Sequence, residues 1–394
     1  MSKTSSQKTS LRTTPRIAVL VDTATDWGRG ILRGIHRYTQ SHEAWHLFFD
    51  PSGPGDAGKL APEWEGQGII ARIVNTEAAL QLAQRKIPVV NVSSIQYEGP
   101  QFNRVNNDVE GVARLAVDYF RQRGFRDFAY LSFMGLEYVR RQHDAFVAAV
   151  KNSGGGSIDV RSVSLAPGYQ AADWNLNLEK LGEWLLTLPK PVALLTWSGG
   201  QVIIHACQKV GLHVPQEVAL LSGSDDELIG GLAPIPISGV KVASERIGYE
   251  AAAQLDRLLR GGSPKLGSTL IAPLGVVTRQ STDTLAITDP KMRSVLNHIH
   301  ANPINAFQVP DLVRLAGLSR SGLERRFRTL LGIAPADYIA RLRVERVKSL
   351  LAETALSVAA VAEQAGFSSP EYMTTVFRKQ MRVTPLQYRR TLRS

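Results

Sequence analysis

The C-terminal quarter of this 394-residue chain contains a pattern that occurs twice. The first copy runs from Val309 to Tyr338 and the second from Val358 to Tyr388. Each copy has an apolar segment, an Ala-Gly-(Leu or Phe)-Ser tetrapeptide, a second segment that contains Phe-Arg, and then Pro and Tyr. In both copies the Pro follows the Phe by eight positions and the Tyr follows the Pro by three. A repeat with such constant spacing predicts one supersecondary unit built twice.

Each copy is predicted to be a helix-turn-helix. In the first copy, apolar residues at helical spacing lead to Ala316, and Gly317 suits the left-handed conformation that ends a helix. Ser319 is then placed to cap the next helix, in which Leu323 and Phe327 share one face. The second copy has the corresponding residues Val361, Gly366, Ser368, Met373 and Phe377. A plain helical bundle is the alternative, but two copies in register, both rich in Arg, favour DNA binding.

The net charge of +11 is concentrated in the same part of the chain. From Lys291 to the end there are 17 Lys and Arg residues and 7 Asp and Glu residues, so little of the excess lies in the preceding part. Basic residues segregated onto one predicted domain are typical of a protein that binds the phosphate backbone of a nucleic acid.

These features resemble the DNA-binding domain of AraC-type transcription regulators. The resemblance is carried by Gly366-Phe367-Ser368, Phe377-Arg378-Lys379, Thr384-Pro385 and Tyr388-Arg389. It implies an all-α domain over residues 291–394, with helix-turn-helix units at 309–330 and 358–380 joined by a long helix from Pro335 to Leu351. It also implies double-stranded operator DNA as a partner, with the two recognition helices in successive segments of the major groove.

Both recognition helices carry residues that are predicted to face DNA. On the first helix, Arg325 is suited to a bidentate contact with guanine and Glu324 to accepting a hydrogen bond from cytosine. Arg328 and Arg378 are expected beside phosphates. The second helix has fewer base-reading side chains, so it is expected to contribute less sequence specificity. The full predicted set is Arg320, Ser321, Glu324, Arg325, Arg328, Ser369, Glu371, Thr374, Thr375 and Arg378.

The preceding region alternates predicted strands and helices. Apolar strands are expected at 16–21, 45–49, 87–92, 128–131, 192–196, 218–221 and 271–277. The alternation predicts parallel sheets covered by helices on both faces, and its length of about 260 residues favours two lobes. Residues 1–14 are predicted to be a disordered tail, 15–280 the sensing domain and 281–290 a polar linker.

Two segments of this region resemble the sugar-binding domain of LacI-type repressors. They are Gly211–Ala219 with Gly223–Asp226, and Ser238–Val240 with Ile247–Ala252. The resemblance implies a two-lobed α/β domain of the type I periplasmic-binding-protein fold, with a small molecule bound in its cleft. Such a sensor followed by an AraC-type domain resembles the XylR-like regulators of xylose operons. That combination implies a sugar effector (xylose or a related pentose), a homodimeric activator that contacts RNA polymerase, and a cytoplasmic, nucleoid-associated location.

The polar candidates for sugar binding follow predicted strands. Asp225 matches the position whose carboxylate holds sugar hydroxyls in LacI-type domains, and its alternative role is in a turn or helix cap. Asn107 and Asp108 match an Asp-Asn pair of that family in swapped order, so either can face the ligand or cap the following helix. Arg141 approximates the family's ligand arginine, and Arg140 competes with it for that role.

Two tryptophans complete the candidate sugar site, because an aromatic ring can cover the C–H face of a sugar. Trp27 lies after the first strand, where it can stack on a sugar, pack in the core or lie on the surface. Trp197 follows the strand that ends at Thr196, at a position where relatives commonly have a polar residue. This departure argues against xylose itself as the effector.

Two other functions are alternatives. A regulator of the same build could sense a non-sugar metabolite or a partner protein. An NAD-binding enzyme is suggested by Gly28-Arg29-Gly30 and Gly34 with Asp50 about 20 residues on, but six residues separate the strand from the first glycine, and a phosphate turn is tighter.

Several other classes of protein are excluded by the sequence. No HExxH, GxSxG or clustered metal-ligand motif occurs, so no catalytic residue, metal or cofactor is expected. No apolar run approaches membrane-spanning length, and the single Cys207 excludes an intrachain disulfide.

Overall fold

The computed structural model describes residues 14–49, 60, 63–132, 137–154, 171–197, 199–264, 267–287, 289–301 and 308–393. The chain divides into two compact units, one formed by Met1–Asn107 with Ser244–Ile271 and the other by Asp108–Ala243 with Ala272–Ser394. The first unit is an α/β lobe, called lobe 1 below. The second unit contains another α/β lobe, lobe 2, and the helical C-terminal domain. The predicted tail over 1–14 lies outside the described residues except for its last position.

Lobe 1 is built on a six-stranded sheet in which all paired strands are parallel. Its strands are β1 (Arg16–Leu20), β2 (His46–Phe49), β3 (Gly68–Ala71), β4 (Val89–Asn91), β5 (Asn103–Asn107) and β10 (Ser268–Ile271), numbered in chain order. They are arranged as β10-β5-β4-β3-β1-β2. The helices are α1 (Asp26–Ser41), α2 (Thr76–Gln84) and α8 (Ser244–Leu259).

Helices α1 and α8 pack closely because glycines face the contact from both sides. A Cβ atom at Gly30 would lie 2.0 Å from a serine hydroxyl of α8, and one at Gly34 would lie 1.9 Å from the Glu245 carbonyl oxygen. From the other helix, a Cβ atom at Gly248 would lie 2.1 Å from the Ile31 carbonyl oxygen. Any side chain at these positions would therefore force the two helices apart.

Lobe 2 is built on a five-stranded sheet of β6 (Asp127–Leu131), β7 (Val192–Thr196), β8 (Val218–Ser222), β9 (Ser238–Lys241) and β11 (Gly275–Val277). The order is β11-β9-β8-β7-β6, and only β11 runs antiparallel to its neighbour. The helices are α3 (Val109–Gln122), α4 (Glu137–Asn152), α5 (Ala171–Thr187), α6 (Gly200–Lys209) and the short α7 (Glu227–Gly231).

The described part of the C-terminal domain is helical. Its helices are α9 (Pro290–Ala301), α10 (Val309–Ala316), α11 (Arg320–Leu331), α12 (Pro335–Glu353), α13 (Val358–Gln364), α14 (Pro370–Met381) and α15 (Pro385–Arg393). They enclose two separate apolar cores, one for each copy of the repeat. The long helix α12 joins them, because Tyr338 and Ile339 lie in the first core whereas Val344 and Val347 lie in the second.

The predicted fold class is therefore confirmed, and several predicted elements need correction. Strands β3 and β5 were not predicted, and β5 is polar in sequence although Asn106 within it is fully buried. The strand predicted over 271–277 is two strands that belong to different sheets. Ser281 and Thr282, the first residues of the predicted polar linker, are fully buried and form hydrogen bonds within lobe 2. Within the described ranges, no helix is both long enough and apolar enough to cross a membrane.

Candidate functional site

The first copy of the repeat forms a helix-turn-helix from α10 and α11. Gly317 ends α10 with φ of 57°, in the left-handed region that favours glycine. The hydroxyl of Ser319 accepts a hydrogen bond from the Gly322 backbone N–H at 3.1 Å, which caps α11. Leu323 and Phe327 are fully buried. These features confirm the turn and the core that the sequence predicted.

The second copy forms the same unit from α13 and α14, but its turn is one residue longer. Gly366 has φ of 75°, like its counterpart. The residue that caps the helix is Ser369, whose hydroxyl accepts from the Tyr372 N–H at 3.2 Å, and the predicted cap Ser368 is exposed instead. This extra turn residue explains why the glycines are 49 positions apart whereas the phenylalanines Phe327 and Phe377 are 50 apart.

The constant spacing of Phe, Pro and Tyr has a packing reason. Phe327 meets Tyr338 edge-on at 5.8 Å between ring centroids, and Phe377 meets Tyr388 in the same way at 5.5 Å. In each copy the intervening proline occupies the first turn of the next helix, where its missing N–H costs no hydrogen bond. The proline thus starts the helix that brings the tyrosine back onto the phenylalanine.

The predicted DNA-facing residues of α11 are on its surface. Arg320, Ser321, Arg325 and Arg328 are exposed, and Glu324 is half-buried. The Arg320 Nε atom lies 3.3 Å from Glu324 Oε1, so this carboxylate is held by a neighbouring cation one helical turn away. Because a carboxylate can accept several hydrogen bonds, this contact is compatible with a hydrogen bond from cytosine to Glu324.

On α14 the polar side chains are largely engaged with the helix itself. The hydroxyls of Thr374 and Thr375 donate to the carbonyls of Pro370 and Glu371 at 2.8 and 3.0 Å. The pKa of Glu371 is lowered by its own backbone N–H and by the hydroxyl of Ser369. The threonines can still accept hydrogen bonds, but their donors are committed, so this helix is less suited to reading bases than α11. Arg378 is exposed.

In lobe 1, two of the candidate ligand residues have buried polar atoms without a partner among the described residues. These atoms are the indole Nε1 of Trp27 and the side-chain Oδ1 of Asn107. Trp27 lies at the start of α1 and Asn107 at the end of β5, so both follow the carboxyl edge of the sheet. Arg72, which the sequence had not singled out, comes directly after β3 and places its guanidinium 5.5 Å from the centroid of the Trp27 ring. Each orphaned atom marks a place at this edge where a polar group of a ligand could bind.

In lobe 2, the candidate carboxylate Asp225 is already paired. Arg279 contacts Oδ1 of Asp225 at 2.5 Å with Nη1 and Oδ2 at 3.3 Å with Nη2, and the two side chains are only 13 and 16% exposed. Gly239 makes room for the carboxylate, because a Cβ atom there would lie 2.7 Å from Asp225 Oδ1. Trp197 packs against Gly223 in the next loop. Asp225 therefore lies at the carboxyl edge of the sheet, but a ligand would have to compete with Arg279 for it.

Two other ligand candidates have structural roles that the sequence left open. Asp108 caps α3, because its Oδ1 accepts from the Gly111 N–H at 2.8 Å, and so the cap alternative holds for it. Arg141 forms a bidentate ion pair with Glu110, with distances of 3.0 and 3.1 Å from its Nη2 to the two carboxylate oxygens. Arg140 is exposed. Of the Asn-Asp pair, Asn107 is therefore the better ligand candidate.

A chain of hydrogen bonds leads from Asp225 through Arg279 into the segment that precedes the helical domain. The Arg279 carbonyl accepts from the Ser238 hydroxyl at 3.0 Å, and that hydroxyl lies 2.7 Å from the Thr282 hydroxyl. Thr282 in turn lies 2.6 Å from the hydroxyl of Tyr119 on α3. The atoms that form these hydrogen bonds are buried or half-buried, so water competes little for them.

The C-terminal end of α3 and the residues after it contact the first helix-turn-helix unit. The hydroxyl of the fully buried Tyr338 donates to the Gln122 carbonyl at 3.0 Å. The guanidinium of Arg126 donates to the Thr329 and Leu330 carbonyls near the C-terminal end of α11, where a cation is favourable. A side chain of lobe 2 thus contacts the recognition helix of the first unit at that helix's backbone carbonyls. This contact was not predictable from the sequence, since its partners are more than 200 positions apart.

The glycines that suggested a dinucleotide site have another use. A Cβ atom at Gly28 would lie 1.7 Å from the Asp22 carbonyl oxygen, and Gly30 and Gly34 face α8. Their backbone is therefore covered by protein and does not form a phosphate cradle. Asp50, the acidic residue of that hypothesis, lies outside the described residues. Among the described residues, no group of three His, Cys, Asp or Glu side chains is placed to hold a metal ion.

Comparison with protein families identifies three parts of the chain. The XylR N-terminal domain matches residues 16–108, a periplasmic binding protein-like domain matches 117–282, and a helix-turn-helix domain matches 312–391. The chain is therefore a transcription regulator in which a two-lobed periplasmic-binding-protein-like domain precedes an AraC-type helix-turn-helix domain.

More particularly, the chain is homologous to xylose operon regulatory proteins. It is 25% identical to the one from Escherichia coli (strain K12) over 95% of this chain and 96% of the relative, and 26% identical to the one from Haemophilus influenzae over 95 and 98%. A solved structure of the xylose-binding transcription activator XylR has the same fold, with a TM-score of 0.61, 24% identity and coverage of 97% of this chain and 99% of that one. These relatives are transcription regulators, so the enzyme alternative is wrong.

Proposed function

We propose that this xylose-operon-type regulator is a homodimeric activator whose binding to operator DNA is controlled by a small sugar, xylose or a related pentose. The observation that carries the proposal is the pair of orphaned polar atoms at the carboxyl edge of lobe 1, a donor on Trp27 and an acceptor on Asn107. Sugar hydroxyls both donate and accept hydrogen bonds, and the indole ring offers a face for the C–H groups of the sugar. The cytoplasm is the proposed location, because the operator lies there.

A second candidate effector is an anionic metabolite, for example a sugar acid. Arg72 favours it, because this guanidinium lies beside Trp27 and has no acidic partner among the described residues. Calorimetry of the full chain against pentoses, hexoses and the corresponding sugar acids separates the two. Tight binding of a neutral pentose supports the main proposal, tight binding of only an acid supports the alternative, and binding of neither contradicts both.

Replacement of Trp27 by Phe should weaken sugar binding without harming the fold. Phenylalanine keeps an aromatic ring but lacks the five-membered part of the indole with its N–H, and loss of that hydrogen bond is expected to cost about 0.5–1.5 kcal/mol of binding free energy. Without sugar, the net change in stability should be small, because removal of an unsatisfied buried donor offsets the loss of packed ring area. Calorimetry and thermal unfolding measure the two effects.

Trp184 provides the matched control, because its Nε1 is also buried without a described partner, but it lies on α5 of lobe 2. Trp184→Phe should lower stability, because it shortens a side chain in the core of lobe 2, and should leave sugar affinity unchanged. If Trp27→Phe and the parent bound the sugar with equal affinity, the Trp27 N–H would not take part in sugar binding.

We propose that sugar occupancy reaches the DNA-binding domain through the hydrogen-bond chain that starts at Asp225. A sugar hydroxyl that takes over the Asp225 carboxylate would release Arg279, and Arg279 begins the segment that continues through Ser281 and Thr282 to the first helix-turn-helix unit. The effector controls the equilibrium only if it binds the released and paired states with different affinities. Competition between the sugar and Arg279 supplies such a difference.

Arg325→Ala should reduce specific DNA binding by about 1–3 kcal/mol, because a bidentate contact with guanine would be lost. Gel-shift titrations with operator and random DNA measure the effect. Arg314→Ala is the matched control, since Arg314 is an exposed arginine on α10 of the same unit and pairs with Asp311. Equal weakening of operator and random DNA by Arg325→Ala would contradict base recognition by this residue.

A further inference from the structure

The two helix-turn-helix units differ at the residue that ends the recognition helix. In the first unit Gly332 ends α11 with φ of 74° and ψ of 2°. In the second unit Arg382, 50 positions later, ends α14 with φ of 62° and ψ of 6°. The backbone is nearly the same, but the left-handed conformation is costly for any residue with a Cβ atom. An arginine is thus present where glycine would be easier to accommodate, and residues held in such conformations are concentrated at functional positions.

The surroundings of Arg382 show what its side chain can do. Arg382 lines a surface depression of about 550 Å³ together with Thr374, Thr375, Arg378, Lys379 and Thr384. Three of these six side chains are cations and the other three are threonines. Among the residues that the structure describes, Arg378, Lys379 and Arg382 form neither ion pairs nor side-chain hydrogen bonds. Three exposed cations without acidic partners repel one another and are stabilised by an anion.

The depression lies on the side of α14 that would face DNA. Met373 and Phe377 are fully buried in the core of the unit. At 100° per residue, Thr375 and Arg378 lie away from that core, and Arg382 follows directly after the last residue of the helix. In the first unit the positions equivalent to Lys379, Arg382 and Thr384 hold Thr329, Gly332 and Ala334. The second unit therefore has two more cations at this place than the first.

We propose that this depression binds a phosphate of the operator backbone, with Arg382 and Lys379 as its cationic contacts beside Arg378. The proposal rests on DNA binding by the C-terminal domain and assigns the second unit a distinct part in it. The first unit carries the arginines suited to base recognition, and the second anchors the domain to the backbone. Such an anchor contributes affinity on every sequence and selects none.

Arg382→Gly is the decisive variant, because the proposal predicts opposite effects on stability and on DNA affinity. Glycine adopts the left-handed conformation at position 382 without the steric cost of a Cβ atom, so the Tm should be unchanged or higher. DNA binding should weaken by the same factor for operator and random sequences, and the slope of log K against log salt concentration should fall by about 1. Arg382→Lys keeps the charge and should keep most of the salt dependence.

Lys86→Gly is the matched control. Lys86 is the other described non-glycine residue with positive φ, at 55°, and its replacement removes the same charge from lobe 1. It should leave DNA affinity and the salt slope at parental values. The proposal is overturned if Arg382→Gly lowers the Tm, if it weakens only operator binding, if it leaves DNA affinity unchanged (as a protein-docking patch would), or if Lys86→Gly lowers the slope equally. If the parent protein binds no DNA, the result contradicts the proposed function of the C-terminal domain and is distinct from a failure of the phosphate site at Arg382.

Discussion

Phe377→Ala is expected to destabilise the second helix-turn-helix unit by about 3–5 kcal/mol. The Phe377 ring is fully buried and meets Tyr388 edge-on at 5.5 Å, so its removal leaves a cavity that the surrounding helices can fill only in part. Because each unit has its own core, the damage should be local. Amide hydrogen exchange should show α13 and α14 losing protection while α10 and α11 keep theirs.

Leu386→Ala is the control for this experiment, because the Leu386 side chain is 54% exposed and its truncation should change the free energy of unfolding little. Gel shifts of the Phe377 variant should show weaker binding to every DNA sequence, since the second unit no longer holds its recognition helix in place. Equal loss of protection in both units would mean that α12 makes them one cooperative unit.

Arg279→Ala is expected to cost about 3–5 kcal/mol of unfolding free energy, the typical effect of leaving one partner of a buried ion pair uncompensated. The pair is largely shielded, with Asp225 only 13% exposed. The double variant with Asp225→Ala should recover part of the loss, and the difference measured by a double-mutant cycle is the coupling energy. Denaturant unfolding supplies the free energies of unfolding of the parent, the two single variants and the double variant.

Arg33→Ala tests whether any lost ion pair has this effect. Arg33 and Glu245 are 2.8 Å apart, but both are about half exposed, so the expected cost is only about 0–1 kcal/mol. Arg279→Ala should also leave DNA binding unresponsive to the effector, because the Arg279 guanidinium is the link between Asp225 and the hydrogen-bond chain to Thr282. An effector response equal to that of the parent would contradict the proposed route, whatever the stability.

Features set by local chemistry were predictable from the sequence. The left-handed Gly317, the Ser319 cap and the buried Phe327 each follow from residues within a few positions of one another. The parallel sheets followed from the alternation of apolar strands with helices. Strand β5 escaped prediction because its sequence, Asn-Arg-Val-Asn-Asn, lacks the apolar run of a buried strand.

Features that depend on distant partners were not predictable. Asp225 is a predicted sugar ligand, but its partner Arg279 lies 54 positions away and nothing in either neighbourhood reveals the pairing. The sequence could not show which of Asn107 and Asp108 caps α3 and which is free to bind a ligand. The answer depends on which of the two side chains reaches the first turn of that helix. The glycines of α1 show the same limit, since a packing glycine and a phosphate-turn glycine look alike until the facing helix is known.

The shared helix α12 has a consequence for the operator itself. With 19 residues it is about 28 Å long, somewhat less than the ~34 Å pitch of B-form DNA. Because its two ends are built into the two cores, the recognition helices have a fixed separation and a fixed angular phase. The two segments of the duplex that one chain contacts are therefore expected to lie nearly one turn of the double helix apart. A spacer altered by half a turn would leave one unit facing the wrong side of the duplex, and the DNA would have to twist or bend to restore the match.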